Sequence, residues 1–154
     1  MATGPAARFA AAAAALLIGL LIEAAGGHAV RLARPVSAQS TKSVQDGVYT
    51  SEQANRGQAS YQMACSSCHG ATLGGDAFAP PLIGPPFTER WQEGSLGDLH
   101  LIIKTTMPQD RPGALGADMY ADIVSFLLKM NNYPAGQSEL DLDPDKSKSI
   151  RFSK

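Results

Sequence analysis

The stretch Cys65-Ser66-Ser67-Cys68-His69 decides how the rest of this chain is read. It places two thiols three residues apart on one turn, with an imidazole directly after the second. Three rival chemistries fit it poorly. Zinc needs two more ligands at matching spacing, and the chain has only two cysteines. A thioredoxin-like pair sits in a βαβ pattern, which is missing here. A disulfide between Cys65 and Cys68 would close a very small loop, from which little stability follows. The pattern C-x-x-C-H is instead that of haem c attachment. Both thiols reach vinyl groups on neighbouring pyrroles, and His69 then lies under the iron as a ligand. Ser66 and Ser67 need only fit the turn.

Outward from this turn, helical patterns appear and no strand does. Thr50-Ser51-Glu52-Gln53 opens the first, with Thr50 as cap and Gln53 placed to reach back, a capping box. Ala54, Gly57 and Tyr61 follow on one face. Ser95-Leu96-Gly97-Asp98 opens the second, with an apolar stripe of Leu99, Ile102 and Ile103. It is expected to stop near Met107, because Pro108 disfavours helix in the residue before it. The third runs from about Ala117 to Met130. Met119, Ile123, Phe126, Leu127 and Met130 share one face, and Asp118, Asp122, Ser125 and Lys129 the other. Residues 70–94 hold Gly74-Gly75, Pro80-Pro81 and Pro85-Pro86 and read as a long loop. A loop of this length in a compact domain calls for something to fill the space. Three short helices also bury little by themselves. The expected fold is all-α, about three main helices with long Gly/Pro-rich loops around one haem.

For the second iron face, Met107 is the leading candidate. Of five methionines, Met1 starts the chain and Met63 adjoins the attachment turn too closely to cross to the other face. Met119 and Met130 fit helix packing. Met107 ends a helix, and Pro108 stiffens the segment that presents its thioether. His100 is the alternative and reads as a solvated surface histidine on a polar stretch. A His69/Met107 pair fills both axial positions, which favours electron transfer over catalysis. Lys104 and Arg111 flank Met107 and read as ordinary surface charge.

Export is the second message of the chain. In a chain of 154 residues, Phe9 to Ile22 carries no charge, and Glu23 ends the run. Val36-Ser37-Ala38 offers a small-x-small cleavage site, with Gly27-His28-Ala29 as a competitor. A retained anchor is the other reading, although about 14–17 apolar residues fall short of the roughly 20 that span a bilayer. Residues 1–38 are therefore expected to be a signal peptide or N-terminal anchor. Residues 39–49 read as a linker, 50–133 as the folded domain and 134–154 as a loose tail. Removing Arg8, Glu23, Arg31 and Arg34 from the chain's 13 basic and 14 acidic residues leaves 10 and 13. This acidic balance excludes a nucleic-acid binder, which wants a basic face.

The domain resembles class I cytochrome c. Gly57 and Tyr61 match the Gly-x-x-x-aromatic pair of that family's first helix, and Ala121-Asp122-Ile123-Val124-Ser125-Phe126-Leu127 is similar to its last. The resemblance implies that these helices cross at Gly57, with Ile123 and Phe126 as partners. Pro80-Pro81-Leu82-Ile83-Gly84 resembles the family's P-x-L-x-G segment, which implies that the Pro80 carbonyl accepts a hydrogen bond from the His69 ring. It also implies a place for Trp91 near a haem propionate. A narrower likeness, to cytochrome modules that accompany periplasmic quinoprotein dehydrogenases, rests on Phe78-Ala79-Pro80, Phe87, Trp91, Leu99, Thr106-Met107-Pro108 and Pro134-Ala135-Gly136. It implies a periplasmic carrier in a respiratory chain. A dehydrogenase would be its donor and an oxidase or another cytochrome its acceptor, with a membrane tether if the N-terminus is kept.

Overall fold

A computed structural model describes residues 41–153. The apolar run, both cleavage sites and His28 lie outside the described residues. Six helices and two short strands follow in the order β1 (Lys42–Ser43), a 3₁₀ turn (Val44–Asp46), α1 (Ser51–Ala64), α2 (Ser66–His69), α3 (Pro85–Trp91), α4 (Leu96–Thr106), α5 (Ala117–Met130), α6 (Pro144–Ser147) and β2 (Ile150–Arg151). The fold is the expected small all-α one.

The dominant packing is α1 against α5. A Cβ on Gly57 would lie 1.8 Å from the Asp122 carbonyl oxygen and 2.9 Å from the Phe126 Cβ. Only glycine lets these backbones approach so closely. The Tyr61 and Phe126 rings meet one turn further on, with centroids 5.4 Å apart. The partners at the crossing are thus Phe126 and the Asp122 backbone. The expected polar face of α5 is not wholly a solvent face. Asp122 and Ser125 are buried, within an unbroken buried run from Tyr120 to Leu128. The cause is that α5 is covered on more than one side. Asp122 is matched by Arg56 of α1 at 2.9 Å, and Ser125 Oγ donates to the Ala121 carbonyl at 2.8 Å.

Capping sets the helix starts. Ser95 and Asp98 form the full reciprocal box, Asp98 N–H to Ser95 Oγ at 3.2 Å and Ser95 N–H to Asp98 Oδ2 at 2.9 Å. At α1 only half of the expected box forms. Thr50 Oγ1 accepts from Gln53 N–H at 3.1 Å, but the Gln53 side chain turns away from the cap. It pairs with the Leu140 backbone, donating to its carbonyl at 3.0 Å and accepting from its N–H at 2.7 Å. The helix α4 ends at Thr106 as expected. Its stripe differs from the expectation, with Leu96 and Leu99 buried but Ile102 39 % exposed.

Three further expectations are corrected. Residues 85–91 form helix α3 within the stretch read as loop. Pro85 and Pro86 occupy its first positions, where a missing N–H costs nothing and a fixed φ helps. The segment 134–153 is no loose tail: Leu140, Leu142, Ile150 and Phe152 are all buried in the core. Nor is 41–49 a mere linker, since Val44 and Tyr49 join the same core. These two ends pair in parallel, Lys42 with Ile150 and Ser43 with Arg151. The Tyr49 hydroxyl donates to the Tyr133 carbonyl at 2.6 Å. Gly136 fits so tightly that a Cβ would sit 1.9 Å from the Gly47 oxygen.

Candidate functional site

The attachment turn is built at the end of α1. Cys65 caps α1 and opens α2, its N–H bonded to the Tyr61 carbonyl at 2.9 Å. Its own carbonyl accepts from Cys68 N–H at 3.2 Å and His69 N–H at 3.0 Å. Gly70, at φ +78°, then turns the chain away, and its carbonyl is held by the Tyr61 hydroxyl at 2.7 Å. Tyr61 therefore serves both the helix crossing and the turn. Both thiols are free. Cys68 is exposed, while Cys65 is half-buried and its thiol is pushed up to about 11, first by burial and then by Cys68.

His69 is buried, at 7 % exposure. Its Nδ1 lies 3.0 Å from the Pro80 carbonyl oxygen. A carbonyl can only accept, so Nδ1 carries a proton, and in the neutral ring Nε2 keeps its lone pair for another partner. The loop between these residues is tied back to His69 as well, through Gly75 N–H to the His69 carbonyl at 2.9 Å. Leu82 N–H reaches the Leu73 carbonyl at 2.8 Å. Asn131, at the end of α5, accepts from Gly84 N–H at 2.9 Å and donates to the Leu82 carbonyl at 3.0 Å. Sequence reading missed Asn131. Its one signal was an Asn placed just after a strongly amphipathic helix.

Met107 is half-buried at the end of α4, in an extended conformation after the last helical turn. Its N–H bonds to the Ile103 carbonyl at 2.8 Å, and its carbonyl accepts from the buried Tyr120 hydroxyl at 3.3 Å. Trp91 is buried on α3 in an aromatic cluster with Phe87 and Phe152, centroids 6.5 and 6.2 Å away. Among the described residues, no hydrogen bond joins Met107 or Trp91 to the Cys65–His69 turn. The structure thus brings His69 and Pro80 directly together, and holds Trp91 at the end of α3 and Met107 just past the end of α4.

His100 departs from the expectation of a solvated surface group. Its ring packs against Tyr120 at 5.9 Å. Burial, and secondarily Lys104, lowers its pKa from the ordinary value. A groove of about 630 Å³ lies beside it, lined by Leu115, Tyr120, Leu142 and the carboxylates of Asp118, Glu139 and Asp141. None of Cys65, Cys68, His69, Pro80 or Met107 lines this groove.

The donor set suits a flat covalent group better than a bare ion. Among the described residues, no three His, Cys, Asp or Glu side chains converge to hold a metal ion. Two free thiols on one turn, beside an imidazole with an available Nε2, are what a doubly attached iron porphyrin requires. Residues 52–127 match the family model described as cytochrome C oxidase, cbb3-type, subunit III. Comparison with curated proteins and with solved structures returned no match. The attachment turn, the helix crossing at Gly57 and this match agree, and residues 52–127 form a class I c-type cytochrome domain, a family that binds haem c covalently and transfers electrons.

Proposed function

We propose that the domain is a single-electron carrier, with haem attached through thioethers at Cys65 and Cys68 and its iron held between His69 and Met107. The observation that carries this reading is the His69 ring, whose Nδ1–H is directed to the Pro80 carbonyl at 3.0 Å. Such a bond fixes the tautomer and the ring orientation and makes Nε2 a better donor. The haem, when bound, supplies a one-electron couple between ferrous and ferric iron. The protein's part is to hold the ring of His69 still and to present Met107 from a helix end anchored by Tyr120. With both axial positions taken by side chains, no position stays open for a substrate. Trp91 is proposed to face a haem propionate. No described residue accepts a hydrogen bond from its indole N–H, which leaves that donor for the cofactor.

The proposed place of action is the periplasm. The uncharged run Phe9 to Ile22 directs export, whether cleaved or kept as a tether. Among the described residues, no helix is long and apolar enough to cross a membrane. A dehydrogenase as donor and an oxidase or second cytochrome as acceptor are the proposed partners. A second reading, a fixed subunit of a redox complex, draws support from the matched family's description as an oxidase subunit.

Optical spectroscopy tests the proposal. The purified protein should be low-spin and carry the weak Fe–S(Met) charge-transfer band. Met107→Ala should keep covalent haem, seen by haem staining after denaturing electrophoresis, while losing that band and lowering the reduction potential. Identical spectra for Met107→Ala and wild type would remove Met107 as a ligand, and a high-spin wild type would remove the carrier.

A further inference from the structure

We infer that Tyr120 is the positioning residue that fastens Met107 in place, and thereby sets how firmly the thioether competes for the iron. The inference rests on Met107 being the axial ligand. Tyr120 is 1 % exposed, and a buried phenol hydroxyl needs a partner. Its hydroxyl donates to the Met107 carbonyl at 3.3 Å. No other described residue donates to that carbonyl, and it belongs to the first residue beyond the last turn of α4. On its N-terminal side Met107 is held by its own N–H on the Ile103 carbonyl at 2.8 Å. The residue is therefore gripped at both backbone ends, once by its own helix and once by α5.

The second grip is rigid because its donor is. Tyr120 lies in the first turn of α5, the helix locked to α1 at Gly57. The His100 ring packs against it from α4 at 5.9 Å. The hydroxyl thus couples the position of Met107 to the most heavily packed pair of helices in the domain. If that bond is lost, the ring still fills its space, but the backbone of Met107 gains freedom in which the thioether is off the iron. An external ligand would then find the sixth position available for a larger fraction of the time.

The experiment uses the ferric holoprotein and imidazole as probe, with binding followed by loss of the charge-transfer band. Tyr120→Phe removes one oxygen and keeps the ring. It should bind imidazole about three- to tenfold more tightly than wild type, the range expected for one modest hydrogen bond. Tyr49→Phe is a matched control, since it deletes the same group from another buried hydroxyl-to-carbonyl bond, the one to Tyr133. It should destabilise the fold yet leave imidazole affinity unchanged. Equal affinity of Tyr120→Phe and wild type would overturn the inference while leaving Met107 as ligand. So would an equal rise in both variants, which would trace the effect to general loosening. If the wild-type spectrum has no Fe–S(Met) band, the ligand assignment itself fails, and this inference fails with it.

Discussion

At Gly57 the two main helices come within a distance that no side chain can enter. A methyl group there would overlap the Asp122 carbonyl, 1.8 Å from the ideal Cβ position, and backbone cannot move aside as a flexible side chain can. Gly57→Ala is expected to cost about 3 kcal/mol, read as a lowered midpoint in denaturant unfolding of the holoprotein. An unchanged midpoint would mean that the helices can separate freely. The neighbouring Asp122 carboxylate takes two bonds from Arg56, at 3.1 and 2.9 Å, and Arg56 also reaches Glu139 at 2.9 Å. Arg56 is half exposed, so these pairs add orientation more than stability.

Among the elements, what local pattern encodes was legible and what distant partners decide was not. The attachment turn, the α4 stop before Pro108 and the amphipathic α5 each follow from neighbours in the chain. The helix at Pro85 was hidden because paired prolines read as a loop, although proline belongs at a helix's first positions. The segment 134–153 was hidden because its buried residues are few and widely spaced, and their partners are on distant segments, Gln53 for Leu140 and Phe87 and Trp91 for Phe152. Gln53 illustrates this most clearly. Its sequence position suggested a capping role, but its amide pairs with the backbone of Leu140, 87 residues away. Of the candidate site, Cys65, Cys68, His69 and Pro80 were readable from spacing and resemblance. Tyr120 and Asn131 were not, because their roles depend on which backbone carbonyls and N–H groups lie near them in space. Gln53→Ala should leave a buried N–H and carbonyl of Leu140 unpaired and lower stability by about 3 kcal/mol. Hydrogen exchange should speed up at Leu140 and its neighbours, and unchanged exchange there would show that the segment is held by other contacts alone.

For the whole molecule, the pH dependence of stability follows from one half-buried histidine and two exposed carboxylates. The folded pKa of His100 lies below its ordinary 6.5. Well above pH 6.5 the ring is neutral in both states. As pH falls below 6.5 the unfolded chain takes up a proton before the folded one, so stability declines until the folded pKa is passed. The cause of the lowered value is burial first and the nearby Lys104 charge second. Asp98 and Asp76 shift downward through hydrogen bonds from Ser95 and from the Ala79 and Phe78 N–H groups respectively. Their stabilisation is present above about pH 4 and is lost as pH falls through their folded values. Thermal melts of the holoprotein should therefore be flat from pH 8 to 7 and weaken in two stages on acidification. His100→Gln should abolish the first stage and spare the second. A first stage that persists in that variant would place its origin elsewhere.

The pairing of Lys42–Ser43 with Ile150–Arg151 also bears on timing. A chain that emerges from its amino end first delivers residues 65–69 long before it delivers the strand that closes the clasp. The thiols of Cys65 and Cys68 thus spend an interval on an incompletely closed domain, with the Leu140 to Phe152 segment still to come. The pairing of residues 42–43 with 150–151 can therefore form only after the whole stretch between them has been made, so the two ends of the described fold close on each other last.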